Sequence, residues 1–252
     1  MKILQISDCH IKKSDSALVY GVKTRERLNH IINEILFSKV DFEFVILTGD
    51  ISDDGSIESY EYIISLLSKL KKKIYFINGN HDLKVNLISI FSNNKLFIQL
   101  DEILIENWIL IGLDSCLQGK NHGYLSDSEI KKTEILVDKA KKLNKNCAII
   151  THHPPILVNT PLIDDCPILN GSELIHIVEK NNHIKLVITG HVHNRYSIRI
   201  GNNAKLETGF STFAQFEYGG SNEFTGIDTD NYGYTYYDLR EHSYECYSIL
   251  LE

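Results

Sequence analysis

The chain lacks a long apolar run. No stretch of about 18 apolar residues occurs among its 252 residues, so no membrane-spanning helix is expected. The opening segment MKILQISDCHIKK turns polar by Ser7 and Asp8, too soon for a secretory signal. An excess of positive charge is also missing. Lys and Arg number 26 against 33 Asp and Glu, a formal net charge of −7. Neutralising phosphates along a nucleic acid requires clustered Lys and Arg, so no nucleic-acid partner is expected. The five cysteines show no Cys-x-x-Cys spacing, and their odd number reads as reduced thiols of a cytoplasmic protein. Met and Trp occur once each, whereas His occurs 11 times. That contrast raises the question of a metal.

Short apolar runs alternate with amphipathic segments, and no internal repeat or low-complexity linker interrupts them. KILQI (2–6), FVILT (44–48), IYFI (74–77), CAIIT (147–151) and LVIT (186–189) read as buried strands. Residues 24–39 read as a helix with Leu28, Ile31, Ile32, Ile35 and Leu36 on one face. Residues 57–70 and 172–180 read as two more. Ser126 opens another, with Glu129 completing a capping box. KLFIQL and WILIGL flank DEILIE and read as adjacent strands. Beyond Arg195 the pattern is all-β, and YGYTYYDL with SYECYSILL forms a closing hairpin at about 232–250. This order predicts one α/β domain over 1–252, with two packed sheets and helices outside.

Five strand ends carry polar residues of a narrow type. They are Asp8-Cys9-His10, Gly49-Asp50, Asn78-Gly79-Asn80-His81-Asp82, His152-His153-Pro154 and Gly190-His191-Val192-His193. Ligands of open α/β sheets bind outside the carboxyl ends of the strands, so the five ends imply one convergent site. Asp8 and His10, and likewise His191 and His193, are two apart; on extended backbone each pair faces one way, with Cys9 and Val192 turned away. Glycines before Asp50, Asn80 and His191 let the backbone turn close to an ion. Carboxylate, amide oxygen and imidazole together suit Mn, Fe or Zn. Three or four His with two Asp exceed the needs of one ion, so two ions sharing a carboxylate is the economical arrangement.

These residues resemble the signature of the calcineurin-like metallophosphoesterases. LTGDISDDGSIESY, IYFINGNHD, GLDSC followed by HGYLSDSE, THHPPI, ITGHVH and STFAQF further resemble the bacterial class III 3′,5′-cyclic AMP phosphodiesterases, from residue 1 to about Tyr234. The resemblance implies a four-layer α/β sandwich, two mixed sheets flanked by helices. It implies that Asp8, His10, Asp50 and His193 hold one ion. It implies that Asp50, Asn80, His152 and His191 hold the other, with Asp50 bridging. His152 rather than His153 matches the ligand position. The implied ions are Fe or Mn, with Zn as the alternative. His81 is then catalytic beside the phosphate, with Asp50, and Asn80 and His81 meet the substrate.

The implied reaction is hydrolysis of 3′,5′-cyclic AMP to 5′-AMP by hydroxide activated on the ions. The alternatives are another small phosphodiester, a phosphomonoester, a lipid-linked pyrophosphate, or a metal-binding scaffold without turnover. The family also allows a homodimer. Two divalent ions would bring the formal −7 to about −3 and make an acidic protein's cleft attractive to phosphate.

Outside the motifs, His30, His122, His176, His183 and His242 read as ordinary surface or core residues. His122 is the one best placed to line the cleft. Phe213 and Phe216 read as core packing or as stacking partners of a base. Tyr232, Tyr234, Tyr236 and Tyr237 read as strand packing. The polar, glycine-rich stretch 217–230 matches no family pattern.

Overall fold

A computed structural model describes residues 1–219 and 226–252. In chain order the elements are β1 (Lys2–Ile6), α1 (Thr24–Ser38), β2 (Phe44–Thr48), α2 (Ile57–Leu67), β3 (Lys73–Ile77), α3 (Lys84–Phe91), β4 (Phe97–Gln99), β5 (Glu102–Ile105) and β6 (Trp108–Gly112). They continue with α4 (Asp127–Lys142), β7 (Asn146–Thr151), α5 (Pro161–Asp164), α6 (Gly171–Lys180), β8 (Ile184–Thr189), β9 (Ser197–Ile200), β10 (Ala204–Thr208), β11 (Gln215–Phe216), β12 (Ile227–Asp228), β13 (Tyr232–Leu239) and β14 (Tyr244–Leu251).

Two six-stranded mixed sheets result, in the orders β14-β13-β1-β2-β3-β4 and β5-β6-β7-β8-β10-β9. Their inner strands are apolar on both faces because both faces are covered. In β2, Phe44 and Ile46 meet Leu110, Ala148, Ile150 and Ile188 of the opposite sheet. Val45 and Leu47 turn outward against Leu28, Ile31 and Ile32 of α1 and Tyr60 and Ile63 of α2. The second sheet covers its outer face with Leu136 and Val137 of α4 and Leu174 and Ile177 of α6. The layers are therefore helix, sheet, sheet, helix, as the sequence implied. The closing hairpin pairs Tyr232 with Leu251 through Leu239 with Tyr244.

Some local expectations are corrected. KLFIQL and WILIGL do not neighbour each other. β4 ends the first sheet beside β3, whereas β6 pairs with β5 and β7 in the second. The chain crosses between sheets near Leu100, and similar apolar runs carry no label of the sheet they join. Leu36 is 47% exposed rather than on the buried face of α1. Ser126 does cap α4 by accepting from Glu129 N at 3.3 Å. The Glu129 carboxylate instead accepts from Asp114 N at 3.1 Å, so it fastens a neighbouring loop. Helices α3 and α5 lie in segments that carried no helical expectation. Of the stretch 217–230, residues 220–225 lie outside the described residues.

Candidate metal centre

The site forms where three loops of the first sheet meet two of the second. The loops after β1 and β2 are laced together: Asp8 N donates to Gly49 O at 3.2 Å and His10 N to Asp50 O at 2.9 Å. Asp82 fastens the loop after β3 to them. Its carboxylate accepts from Gly79 N at 2.8 Å, Ser52 N at 2.9 Å and Ile51 N at 3.2 Å. The two sheets are joined here as well. Asp8 Oδ1 accepts from His191 N, and His152 Nδ1 donates to Thr48 O at 2.8 Å. Gly79 approaches so closely that a Cβ there would stand 2.1 Å from Asp50 N and Oδ1.

The backbone at the donors is not extended. Asp8, His10, Asp50, His191 and His193 have φ of 51°, 45°, 46°, 64° and 47°. Left-handed backbone at a non-glycine residue costs roughly 1–2 kcal/mol. The paired donors therefore converge through left-handed turns rather than strand alternation. The residues between them do face away: Cys9 joins the core under α1 and α2, and Val192 the core under α4 and α6.

The donors fall into two sets. Asp8, His10, Asp50 and His193 place one ligand atom each within 4.8 Å of one another. His10 Nε2 lies 3.2 Å from His193 Nε2 and 3.6 Å from Asp50 Oδ2. In the second set, Asn80 Oδ1 lies 3.0 Å from His152 Nε2 and 3.1 Å from His191 Nδ1. His152 Nε2 is also 3.4 Å from Asp50 Oδ2. One oxygen of Asp50 thus faces both sets, while its other accepts from His81 N at 2.9 Å. His191 Nε2 is buried and has no hydrogen-bond partner among the described residues. A set of buried carboxylate and imidazole donors with the half-buried Asn80 amide, three of them (Asp8, Asp50 and His152) held by backbone bonds, fits two borderline cations.

Charge is organised around Asp50. Burial pushes its carboxyl up, yet His152, then His10 and His81, hold it well below the usual carboxylate range. Asp8 is lowered in the same way: burial opposes and His193 prevails. Burial would lower His152, but Asp50 raises it to about 9. His153 differs. Burial, with the neighbouring His152, drives it down to about 3. Its Nδ1 accepts from Ser115 Oγ at 2.9 Å and its Nε2 donates to Asn121 O at 3.0 Å. Both of its nitrogens are thus partnered, and a ligand atom of His153 also lies within 4.8 Å of those of His152 and His191.

A cavity of about 350 Å³ opens over the donors, lined by Asp50, Asn80, His81, His191, Tyr20 and Phe213 among others. Its wall includes Asn121 rather than His122. Phe213 and Phe216 pack on the His193 ring, with Phe216 parallel at 4.3 Å. The sequence reading missed Asp53. Its carboxylate accepts from His10 Nδ1 at 3.0 Å and Lys12 Nζ at 2.8 Å and faces His81 Nδ1 at 3.6 Å. The bonds from His10 and Lys12 outweigh burial and hold it at about 2. The available signal was its place just past Asp50 in the turn GDISDD.

A helix–sheet–sheet–helix sandwich with two donor sets sharing one carboxylate defines a dimetal phosphoesterase architecture. Residues 1–195 match the family model for calcineurin-like phosphoesterases. A 3′,5′-cyclic adenosine monophosphate phosphodiesterase of Vibrio vulnificus is 30% identical over 198 residues, 79% of this chain and 72% of its own. A probable cyclic nucleotide phosphodiesterase of Ruthia magnifica is 32% identical over 236 residues, 93% of both chains. Among solved structures, a dimetal phosphatase from Danio rerio superposes with a TM-score of 0.67 at 12% identity, covering 92% of this chain and 94% of the other. The chain belongs to the calcineurin-like phosphoesterase family. Among its described residues no helix is long and apolar enough to cross a membrane.

Proposed function

We propose that this chain is a phosphoric diester hydrolase that converts 3′,5′-cyclic AMP to 5′-AMP, and that residues 1–252 act as one domain. The observation that carries the reading is Asp50 Oδ2, 3.6 Å from His10 Nε2 and 3.4 Å from His152 Nε2, between the two donor sets. The cyclic nucleotide phosphodiesterases at about 30% identity point to the substrate.

Asp8, His10, Asp50 and His193 would hold one ion, and Asp50, Asn80, His152 and His191 the other. Fe or Mn suits this oxygen-and-nitrogen set, with Zn as the alternative. Two such ions would lower the pKa of a shared water and clamp the phosphate oxygens. Asn80 contributes a neutral amide oxygen and so adds no anionic charge where phosphate arrives. His81 is 42% exposed at the cavity wall, with Nδ1 toward Asp53, which leaves Nε2 to meet the ester. Water adds to phosphorus as the bond to O3′ breaks, and His81 gives the departing O3′ its proton. No side-chain nucleophile is required, so no covalent intermediate forms. The five cysteines are unpaired, in keeping with a reducing cytoplasm.

The test is metal content on purified protein, followed by assay in Mn, Fe and Zn of 3′,5′-cyclic AMP, 2′,3′-cyclic AMP and simple diesters and monoesters. Release of 5′-AMP is expected. Cleavage of another ester with 3′,5′-cyclic AMP left intact overturns the substrate.

A further inference from the structure

Positive charge gathers on the flank of the sandwich, apart from the metal donors. A cavity of about 430 Å³ opens between the edge of the second sheet and the closing hairpin, lined by Lys185, Arg195, Lys205, Glu207, His242 and Tyr244 among others. It shares no residue with the cavity over the donors. Three cations face one carboxylate there, in a chain whose formal charge is −7. Lys185, Arg195 and Lys205 enter none of the ion pairs formed among the described residues. Lys205 Nζ reaches only Ser197 Oγ, at 3.5 Å.

Local structure puts these charges there. β7 and β8 pair Cys147 with Ile184 and then Ala148 with Leu186, so the register passes over Lys185. An extra residue of this kind is left unpaired and its side chain is re-aimed. On β10, Leu206 joins the core under α4 and α6, so its neighbours Lys205 and Glu207 turn to the inner face. Charges near a sheet edge can simply repel other strands, but that purpose needs no buried acid. Glu207 is 2% exposed. Its Oε1 accepts from Ser197 Oγ and Tyr244 OH, both at 2.8 Å. Its Oε2 is buried with no partner among the described residues, and so is Arg195 Nε. Buried polar atoms without partners are costly, so a guest that meets both gains by doing so. Such a guest offers anionic oxygens to the cations and an O–H to Glu207. A phosphate group that keeps a proton offers both. Sulfate, fully ionised at neutral pH, has no O–H to give.

We infer that this cleft is a second anion site, selective for a protonated phosphate group, either free phosphate or a monoester. Lys185, Arg195 and Lys205 hold its charge, and Glu207 Oε2 accepts its O–H. Equilibrium dialysis of the metal-loaded protein against labelled inorganic phosphate counts the anions bound per chain, those at the metal centre included. The double variant Lys185→Gln/Lys205→Gln should bind one phosphate fewer than wild type, through a loss of affinity of at least about tenfold at this site. Its metal content and turnover should be unchanged, which a folding defect would not preserve. Excess sulfate should leave this phosphate in place in the wild type and displace it in Glu207→Gln. The Gln amide can donate to sulfate and keeps an oxygen for Ser197 and Tyr244. Glycerol 3-phosphate separates the sources: displacement of the label assigns a monoester, retention assigns free phosphate, and either supports the site. Equal phosphate counts in wild type and the double variant overturn the inference, as does displacement by sulfate in the wild type.

Discussion

Asp53 accepts a hydrogen bond from His10 Nδ1 at 3.0 Å, which turns His10 Nε2 toward Asp50 and His193. A carboxylate behind a ligating imidazole fixes its tautomer and raises its basicity. Asp53→Ala should therefore weaken metal retention by about 10- to 100-fold. Metal content after dialysis against graded chelator measures this, and Asp53→Asn should recover part of the loss.

Asp50 and His81 should separate cleanly. Asp50→Asn removes the carboxylate common to both donor sets, so purified protein should carry fewer ions and lose at least about 10²-fold in kcat. His81→Ala should keep its metal content and lose about 10²–10⁴-fold in kcat. Elemental analysis alongside turnover tells the two apart, and a fully active, metal-poor Asp50→Asn protein would sink the mechanism.

Gly79 tests the close approach of the loops after β2 and β3. A Cβ there would overlap Asp50 backbone and side chain at 2.1 Å. Gly79→Ala should destabilise by about 2 kcal/mol, as overpacking typically does, and lower Tm by several degrees. Metal retention should fall with it because the atom displaced belongs to Asp50.

Cys147 reports on the second sheet. Burial on β7 raises its thiol from 9.0 to about 12. Alkylation at pH 8 should leave Cys147 intact in the folded protein, whereas the part-exposed Cys166 reacts first. The linkage has a definite sign. Since the folded pKa lies above the unfolded one, the contribution to stability is complete below pH 9 and is lost as pH rises toward 12. Cys147→Ala should flatten that part of the alkaline stability profile, measured by denaturant unfolding at stepped pH.

Much of the site was legible because its chemistry is written at strand ends. KILQI, FVILT and CAIIT are strands, and Asp8, Asp50 and His152 follow where the sheets stop. The hairpin of β13 and β14 was equally plain, since Tyr232, Tyr234 and Tyr236 alternate into the core. Asp53 was not legible, because an acid in a turn usually serves the turn itself. Only its nearness to His10, Lys12 and His81 gives it another office. The mistaken neighbours KLFIQL and WILIGL show the same limit, since apolar alternation fixes that a segment is a strand but not which sheet receives it.

The sequence by itself determined the strands, the kinds of donor and their order, because hydrophobic periodicity and residue chemistry are local. The tertiary structure alone decided how the donors meet. The left-handed φ of Asp8, His10, Asp50, His191 and His193 exists only because loops from both sheets hold it in place. The contacts that do so, His191 N to Asp8 and His152 Nδ1 to Thr48 O, join residues far apart in the chain. Strain of this kind persists only where surrounding bonds outweigh it, and those bonds form only once the two sheets have packed.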